Sequence, residues 1–292
     1  MTLPASRFPL PRVAVVGAGT MGHGIAYVAA LAGCEVALTD SRADALPHAT
    51  ARIDALIAGA VTRAKLDGQE GTALARRVRI ERSLDDAVHG ATVIIEAVVE
   101  DLQVKQRVLA NVERAAPPDA LLASNTSSLS IGHLAGSLST PGRLVGMHFF
   151  NPVHLMKLVE IVTHDRAAPG VSDRAVTFAR QLGKEPIVVK DSPGFASSRL
   201  GVVLGLEAMR MLEQGVASAE DIDKAMELGY NHPMGPLKLT DVVGLDVRLA
   251  IAEYLYATLK VPHFEPPAIL RDKVKKGELG KKTGKGFYSW ST

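Results

Sequence analysis

Two residues twelve apart have the types needed to move a proton. His148 lies in Gly-Met-His-Phe-Phe-Asn-Pro, at the end of an apolar, β-favouring run. Glu160 lies inside Lys-Leu-Val-Glu-Ile-Val, a second such run. A carboxylate in the middle of an apolar strand is costly unless it is paired. If the two runs form a hairpin turning near His154, His148 and Glu160 fall opposite each other. A carboxylate against an imidazole fixes its tautomer and stabilises its protonated form. That arrangement suits a general base acting on a hydroxyl. Taken alone, the two residues have a simpler reading: a core histidine bonded to backbone, and an edge-strand glutamate facing water. The loop Ser124-Asn125-Thr126-Ser127-Ser128 offers hydroxyls to a substrate oxygen, but the same residues also favour turns and helix caps. His89 and His164 sit in polar, turn-like segments and read as surface residues. His232 reads as a helix-capping surface residue. No spacing of His, Cys or Asp completes a metal shell.

A second chemical signal is Gly17-Ala18-Gly19-Thr20-Met21-Gly22, which follows the apolar run Val13 to Val16 and opens a helical pattern. Gly17 permits a tight turn, Gly19 lets backbone approach a pyrophosphate, and Gly22 allows close packing behind it. The helix N-terminus then presents N–H groups and a positive dipole end to phosphate. Asp40 ends the next apolar run. A carboxylate there accepts from a ribose 2′-hydroxyl and repels a 2′-phosphate, which favours NAD over NADP; Arg42 nearby narrows that margin. The competing reading is a glycine turn that holds no ligand.

These groups need elements to hold them. Ile25, Val28, Ala29 and Ala32 form a helical stripe, and Glu35 to Asp40 a strand, so one βαβ unit fits in the first forty residues. Further strands are expected at Ala91 to Val98, Ala120 to Ser124, Leu144 to Phe150, Met156 to Thr163 and Pro186 to Lys190. Helices are expected at Leu102 to Arg114 and Ser172 to Leu182, with Arg52 to Leu66 and Leu74 to Val78 helical or irregular. Such alternation predicts an α/β fold with a mainly parallel sheet covered on both faces. Beyond Asp191-Ser192-Pro193-Gly194 strand signals nearly vanish. Leu200 to Leu212, a helix opened by Ser218-Ala219-Glu220-Asp221, and one long helix over Thr240 to Leu259 are expected. The division is therefore 1–190 and 191–292, an α/β domain followed by an all-helical one.

Composition removes several classes of function. The 292 residues carry 33 Lys+Arg against 31 Asp+Glu, a net charge of +2, too small for a general electrostatic grip on nucleic acid. The single cysteine, Cys34, allows no intrachain disulfide and no cysteine-built zinc site, and is read as a small, partly buried apolar residue. No apolar run is long enough for a membrane span. Met1 to Arg12 holds three prolines and no apolar h-region, unlike a secretory signal. A cytoplasmic protein with no membrane or nucleic-acid partner is the expectation.

Taken in order, the motifs carry a resemblance. Gly-Ala-Gly-Thr-Met-Gly, Ile-Glu96-Ala-Val-Val-Glu100, Ala-Ser-Asn-Thr-Ser-Ser-Leu-Ser-Ile, Gly-Met-His-Phe-Phe-Asn-Pro-Val, Lys-Leu-Val-Glu-Ile-Val, Asp-Ser-Pro-Gly-Phe and Gly-Lys-Lys-Thr-Gly-Lys-Gly-Phe-Tyr follow one another between about Arg12 and Trp290. The chain resembles the L-3-hydroxyacyl-CoA dehydrogenases, including the bacterial 3-hydroxybutyryl-CoA enzymes. The resemblance implies a Rossmann-type domain plus a helical C-terminal domain for substrate cleft and dimerisation, NAD as cofactor, an acyl-CoA thioester as substrate and a homodimer. It implies that His148 is the general base and Glu160 its partner, reversing the simpler reading. It implies that Ser127 bonds the reacting oxygen beside the nicotinamide. Glu100, Lys105, Asn151 and Lys282 match residues that contact the dinucleotide. Where many members carry Asn in Pro-Gly-Phe-x-x-Asn-Arg-Leu, holding the substrate near its thioester, this chain has Ser198, a shorter side chain without the planar amide. Arg63 and Lys65, placed on the helical segment after the second strand, match basic residues near coenzyme A phosphates, or else form a solvated helix face.

Three other readings compete. Hydroxyacid dehydrogenases of the phosphogluconate type place a catalytic lysine in the first long helix of the second domain, whereas Asp191 to Asp223 contains none. A sugar-acid dehydrogenase fits Ser198 but not the intact His-Phe-Phe-Asn-Pro. A non-enzymatic NAD-binding protein would have no need of both His148 and Glu160.

Overall fold

The computed structural model describes residues 11–291. The expectation that no secretory signal occupies the N-terminus falls mostly on residues 1–10, outside the described part. The chain forms two compact units, one up to Asp191 and one from Ser192 onward.

In the first unit, β1 (Arg12–Val16), α1 (Thr20–Leu31) and β2 (Glu35–Thr39) build the initial βαβ unit. Then come α2 (Ala45–Thr62), α3 (Gly68–Arg77), β3 (Val78–Ile80), α4 (Leu84–Val88), β4 (Val93–Glu96), α5 (Leu102–Ala115) and β5 (Leu121–Ser124). The short α6 (Ile131–Ala135), β6 (Leu144–Phe149), β7 (Leu158–Thr163), α7 (Val171–Gln181) and β8 (Glu185–Lys190) complete it. The sheet runs β3-β2-β1-β4-β5-β6-β7-β8, with every pair parallel except β6–β7.

Burial explains the sequence texture. All four residues of Val13–Val16 are buried, as both faces of a parallel sheet require. One face packs on Ile25, Ala26 and Ala29 of α1 and Ile53 of α2, and the same core includes Ala175, Phe178 and Ala179 of α7. Cys34 is fully rather than partly buried, and burial pushes its thiol up to about 11, so it behaves as an apolar residue. Leu74 to Arg77, within the stretch expected to be helical or irregular, is the end of α3, and β3, which the sequence reading does not include, begins at Val78. Only three residues long and mostly exposed, it is set by pairing to β2 rather than by its own pattern.

The second unit is helical: α8 (Ser197–Glu213), α9 (Ala219–Gly229), α10 (Pro236–Val243), α11 (Leu245–Leu259) and α12 (Ala268–Lys275). Its core gathers Val202, Leu206, Met209, Leu237, Leu245, Leu255 and Phe264. Ser218 caps α9 by accepting from the Asp221 N–H. The single long helix expected over Thr240 to Leu259 is two helices. Gly244 adopts φ +105° between them, a conformation that an α-helix cannot contain. The apolar pattern continues across the break, which is why it reads as one helix.

Candidate active site

The dinucleotide loop lies at the carboxyl ends of the parallel strands, where such sheets bind ligands. The Gly17 N–H bonds the Thr39 carbonyl, and Ala97 N–H bonds that of Val16, so the ends of β1, β2 and β4 meet there. Gly17 has φ +111°, and a Cβ on it would sit 2.5 Å from the Ala97 carbonyl oxygen. A Cβ on Gly22 would strike the Gly17 carbonyl at 1.7 Å, so α1 packs against the loop itself. At Gly19, by contrast, a Cβ would meet nothing within 4 Å. The loop is thus closed behind Gly17 and Gly22 and open at Gly19. α1 has no side-chain cap and no acidic residue in its first turn, which leaves its positive end to an anion. Asp40 accepts from the Ala18 N–H at 2.7 Å and from the Arg42 N–H at 2.9 Å, one bond per carboxylate oxygen. Its orientation is fixed, and each oxygen retains a lone pair for a ribose hydroxyl. These features fit a pyrophosphate and an adenosine ribose.

β6 and β7 form the antiparallel pair expected, with His148 and Glu160 as direct partners in its register. His148 Nδ1 lies 2.7 Å from Glu160 Oε2. Glu160 is fully buried and His148 nearly so. β8 covers the far side of β7, so Glu160 lies inside the sheet and not at an edge. The Phe150 ring tilts against the imidazole at 4.4 Å between centroids. Asn125 Oδ1 accepts from the Phe149 N–H at 2.9 Å and so ties the serine-rich loop to the strand beside His148. Lys184, buried and with its ammonium pKa lowered by that burial, donates to the Val153 and Met156 carbonyls. It closes the turn that contains Asn151. The sequence reading names Asn125 only as part of the serine-rich loop and does not name Lys184, because each acts through a distant backbone group.

Ser127 lies on the loop after β5 and is held by Glu100, whose Oε1 accepts from the Ser127 N–H at 2.9 Å, the Ser127 hydroxyl at 3.2 Å and the Thr126 hydroxyl at 2.6 Å. Lys105 is buried and lies 2.7 Å from Glu96 and 3.3 Å from Glu100. Burial works to raise the Glu100 pKa, but Lys105, Thr126 and Ser127 together hold it below its ordinary value.

The remaining expected residues are more dispersed. Arg63 is the exposed C-cap of α2, and Lys65 lies in the turn beyond it, not on the helix as expected; Ala64 between them has φ +51°, which ends the helix. In the helical unit, Ser198 is the second residue of α8, and Lys282 bonds both carboxylate oxygens of Asp246 at 2.6 Å. His164 is a correction: it is buried, and its Nε2 donates to the Leu144 carbonyl at 3.1 Å. Its polar neighbours suggested a surface, but the ring turns inward to satisfy the start of β6. His89 is exposed. Among the described residues no group of His, Cys, Asp or Glu could hold a metal ion.

A dinucleotide loop and a buried imidazole–carboxylate pair on one sheet define a nucleotide-dependent dehydrogenase scaffold. The pattern of the 3-hydroxyacyl-CoA dehydrogenase NAD-binding domain matches residues 12–192, and that of the 3-hydroxyacyl-CoA dehydrogenase C-terminal domain matches residues 194–290. The chain belongs to the 3-hydroxyacyl-CoA dehydrogenase family. It is 41% identical to a 3-hydroxybutyryl-CoA dehydrogenase of Mycobacterium tuberculosis over 286 residues, 96% of this chain and 99% of that one. It is 39% identical to a probable 3-hydroxybutyryl-CoA dehydrogenase of Bacillus subtilis, over 96% of this chain and 98% of the relative. The crystal structure of an (S)-3-hydroxybutyryl-CoA dehydrogenase from Ralstonia eutropha superposes with a TM-score of 0.93 at 38% identity, covering 97% of this chain and 100% of the other.

Proposed function

We propose that this chain oxidises (S)-3-hydroxyacyl-CoA thioesters to 3-ketoacyl-CoA, reversibly, with NAD. The observation that carries the mechanism is the buried His148–Glu160 pair. With Nδ1–H held by the carboxylate, the basic lone pair sits on Nε2, which takes the proton of the 3-hydroxyl. Glu160 then stabilises the imidazolium in a low-dielectric setting. The glycine loop and Asp40 would hold NAD, and the hydride acceptor for carbon 3 would be that cofactor's contribution. Ser127, fixed by Glu100, orients the reacting oxygen, and Asn151, Glu100, Lys105 and Lys282 position the dinucleotide. Asp40 reads the ribose and favours NAD over NADP. Ser198 stands near the thioester, and Arg63 and Lys65 face the phosphates of coenzyme A. Holding hydroxyl, base and acceptor in one geometry supplies most of the acceleration.

The 1–190 segment serves as the NAD domain and 191–292 as the substrate and dimerisation domain. A homodimer fits the large apolar side chains left exposed on the helical unit, among them Leu200, Leu228, Tyr230 and Val242. Light scattering on the eluted peak tests it. A cytoplasmic setting fits the single buried thiol of Cys34.

The decisive assay follows NADH absorbance with acetoacetyl-CoA, with NADPH and free acetoacetate in parallel. Loss of NADH with the thioester alone supports the reading. A protein that binds NADH yet leaves the thioester untouched overturns it, and Ser198 then directs attention to sugar acids.

A further inference from the structure

Glu96 has no role in the mechanism above, yet it is as fully buried as Glu160. It ends β4, is fully buried, and pairs across the ladder with Ser124 at the end of β5. Both of its oxygens accept hydrogen bonds. Oε2 accepts from the Ser124 hydroxyl at 2.6 Å, and Oε1 accepts from the Val98 N–H at 2.7 Å and from the Lys105 ammonium at 2.7 Å. Lys105, also buried, reaches onward to Glu100 at 3.3 Å, and Glu100 in turn accepts from Ser127.

One carboxylate therefore grips the 125–128 loop in two ways. Through Ser124 it holds the root of the loop directly. Through Lys105 it places the cation that aligns Glu100, and Glu100 holds the middle of the loop at Thr126 and Ser127. Without Glu96, Lys105 keeps, among the described residues, Glu100 and the Val98 carbonyl as partners, at 3.3 and 3.2 Å. An ammonium shared between two fixed carboxylates has one position; an ammonium left with a single, partly exposed carboxylate has several.

We infer that Glu96 is a positioning residue for the cofactor and Ser127, acting through Lys105. This rests on the proposed dehydrogenase reading for the roles of Lys105, Glu100 and Ser127, but its test does not depend on turnover. Four proteins are titrated with NADH and followed by its fluorescence: wild type, Glu96→Gln, Lys105→Met, and the double variant. Melting curves are taken on the same samples. Glu96→Gln should weaken NADH binding about tenfold, the scale of losing one aligned polar contact. The double variant should bind no worse than Lys105→Met alone, because glutamine still accepts from Ser124 and the route through Lys105 is already lost. In those variants that turn over acetoacetyl-CoA, KM for NADH should rise above the wild-type value by a larger factor than kcat falls below it.

Additive losses in the double variant overturn the inference, and so does unchanged NADH affinity in Glu96→Gln. If Glu96→Gln does not fold, comparison of Glu96→Gln/Lys105→Met, whose pair is neutral, with Lys105→Met still decides: equal affinity supports the relay, and a further drop refutes it. NADH binding without activity on any thioester would count against the dehydrogenase reading and leave this result intact.

Discussion

His148 Nδ1 and Glu160 Oε2 lie 2.7 Å apart across one rung of the β6–β7 ladder. Both groups are interior. His148→Ala removes the base and should cut turnover by about two or more orders of magnitude, with NADH binding retained. Glu160→Gln keeps the shape but can present an N–H to Nδ1, favouring the wrong tautomer. Its kcat should fall by a similar order while KM for the thioester changes little. Near-normal turnover in His148→Ala means that another group takes the proton.

Asp40 is oriented by the Ala18 and Arg42 N–H groups. Asp40→Ala removes both the ribose acceptor and the repulsion of a 2′-phosphate. NAD binding should weaken by about tenfold, one charge-assisted hydrogen bond, and the gap to NADP should narrow. Dissociation constants for both reduced cofactors check this. A cofactor preference that survives the substitution assigns discrimination elsewhere.

Glu100 gives a pH dependence whose sign follows from its partners. Its folded pKa is depressed, because Lys105, Thr126 and Ser127 outweigh burial. A depressed carboxylate contributes stability that is present above its unfolded pKa and is lost as pH falls through the folded value. Wild type should therefore lose more melting temperature than Glu100→Gln between neutral pH and the region below the usual carboxylate range. Parallel curves for the two proteins would show that Glu100 stabilises nothing.

The legible and illegible parts of this site differ in the range of the interaction. His148 and Glu160 could be paired from the sequence because a hairpin turning near His154 fixes a period-two register over twelve residues. The glycine loop was legible because strand, turn and helix are contiguous. Glu96, Ser124 and Lys105 were not brought together, because parallel strands pair across long crossovers and leave no local periodicity to align them. The roles of Asn125 and Lys184 are illegible for a related reason: their partners are backbone groups, and a backbone group has no sequence signature. In the helical unit, only the positive φ of Gly244 separates α10 from α11, and the apolar pattern runs through it.

Ser198 is the second residue of α8, so its side chain projects from the first helical turn. Ser198→Asn introduces the amide that the family resemblance implies at this position, where Asn costs a helix little. If the site takes a simple acyl thioester, kcat/KM for acetoacetyl-CoA should rise several-fold, the worth of one better-reaching hydrogen bond. A fall in kcat/KM would mean that the serine is matched to a different substrate.

Arg248 poses a different problem, inside the helical unit. It lies on the core stripe of α11 and is 5% exposed. Its Nε has no hydrogen-bond partner among the described residues. Burial alone lowers its pKa, to about 10, with no carboxylate contributing. The guanidinium lies over two glycines of α8: a Cβ at Gly201 would come within 3.5 Å of its Nη1, and one at Gly205 within 3.8 Å of its Nε. Two mid-helix glycines cost α8 about 1 kcal/mol each, and they make room for a buried cation whose Nε has no partner among the described residues. Arg248→Met keeps most of the volume and removes the charge. It should therefore raise stability by about 1 kcal/mol or more, read as a higher urea midpoint at unchanged slope. A lower midpoint would show that the guanidinium gains a partner in solution, and crosslinking or light scattering on the two proteins would then reveal whether a second copy supplies it.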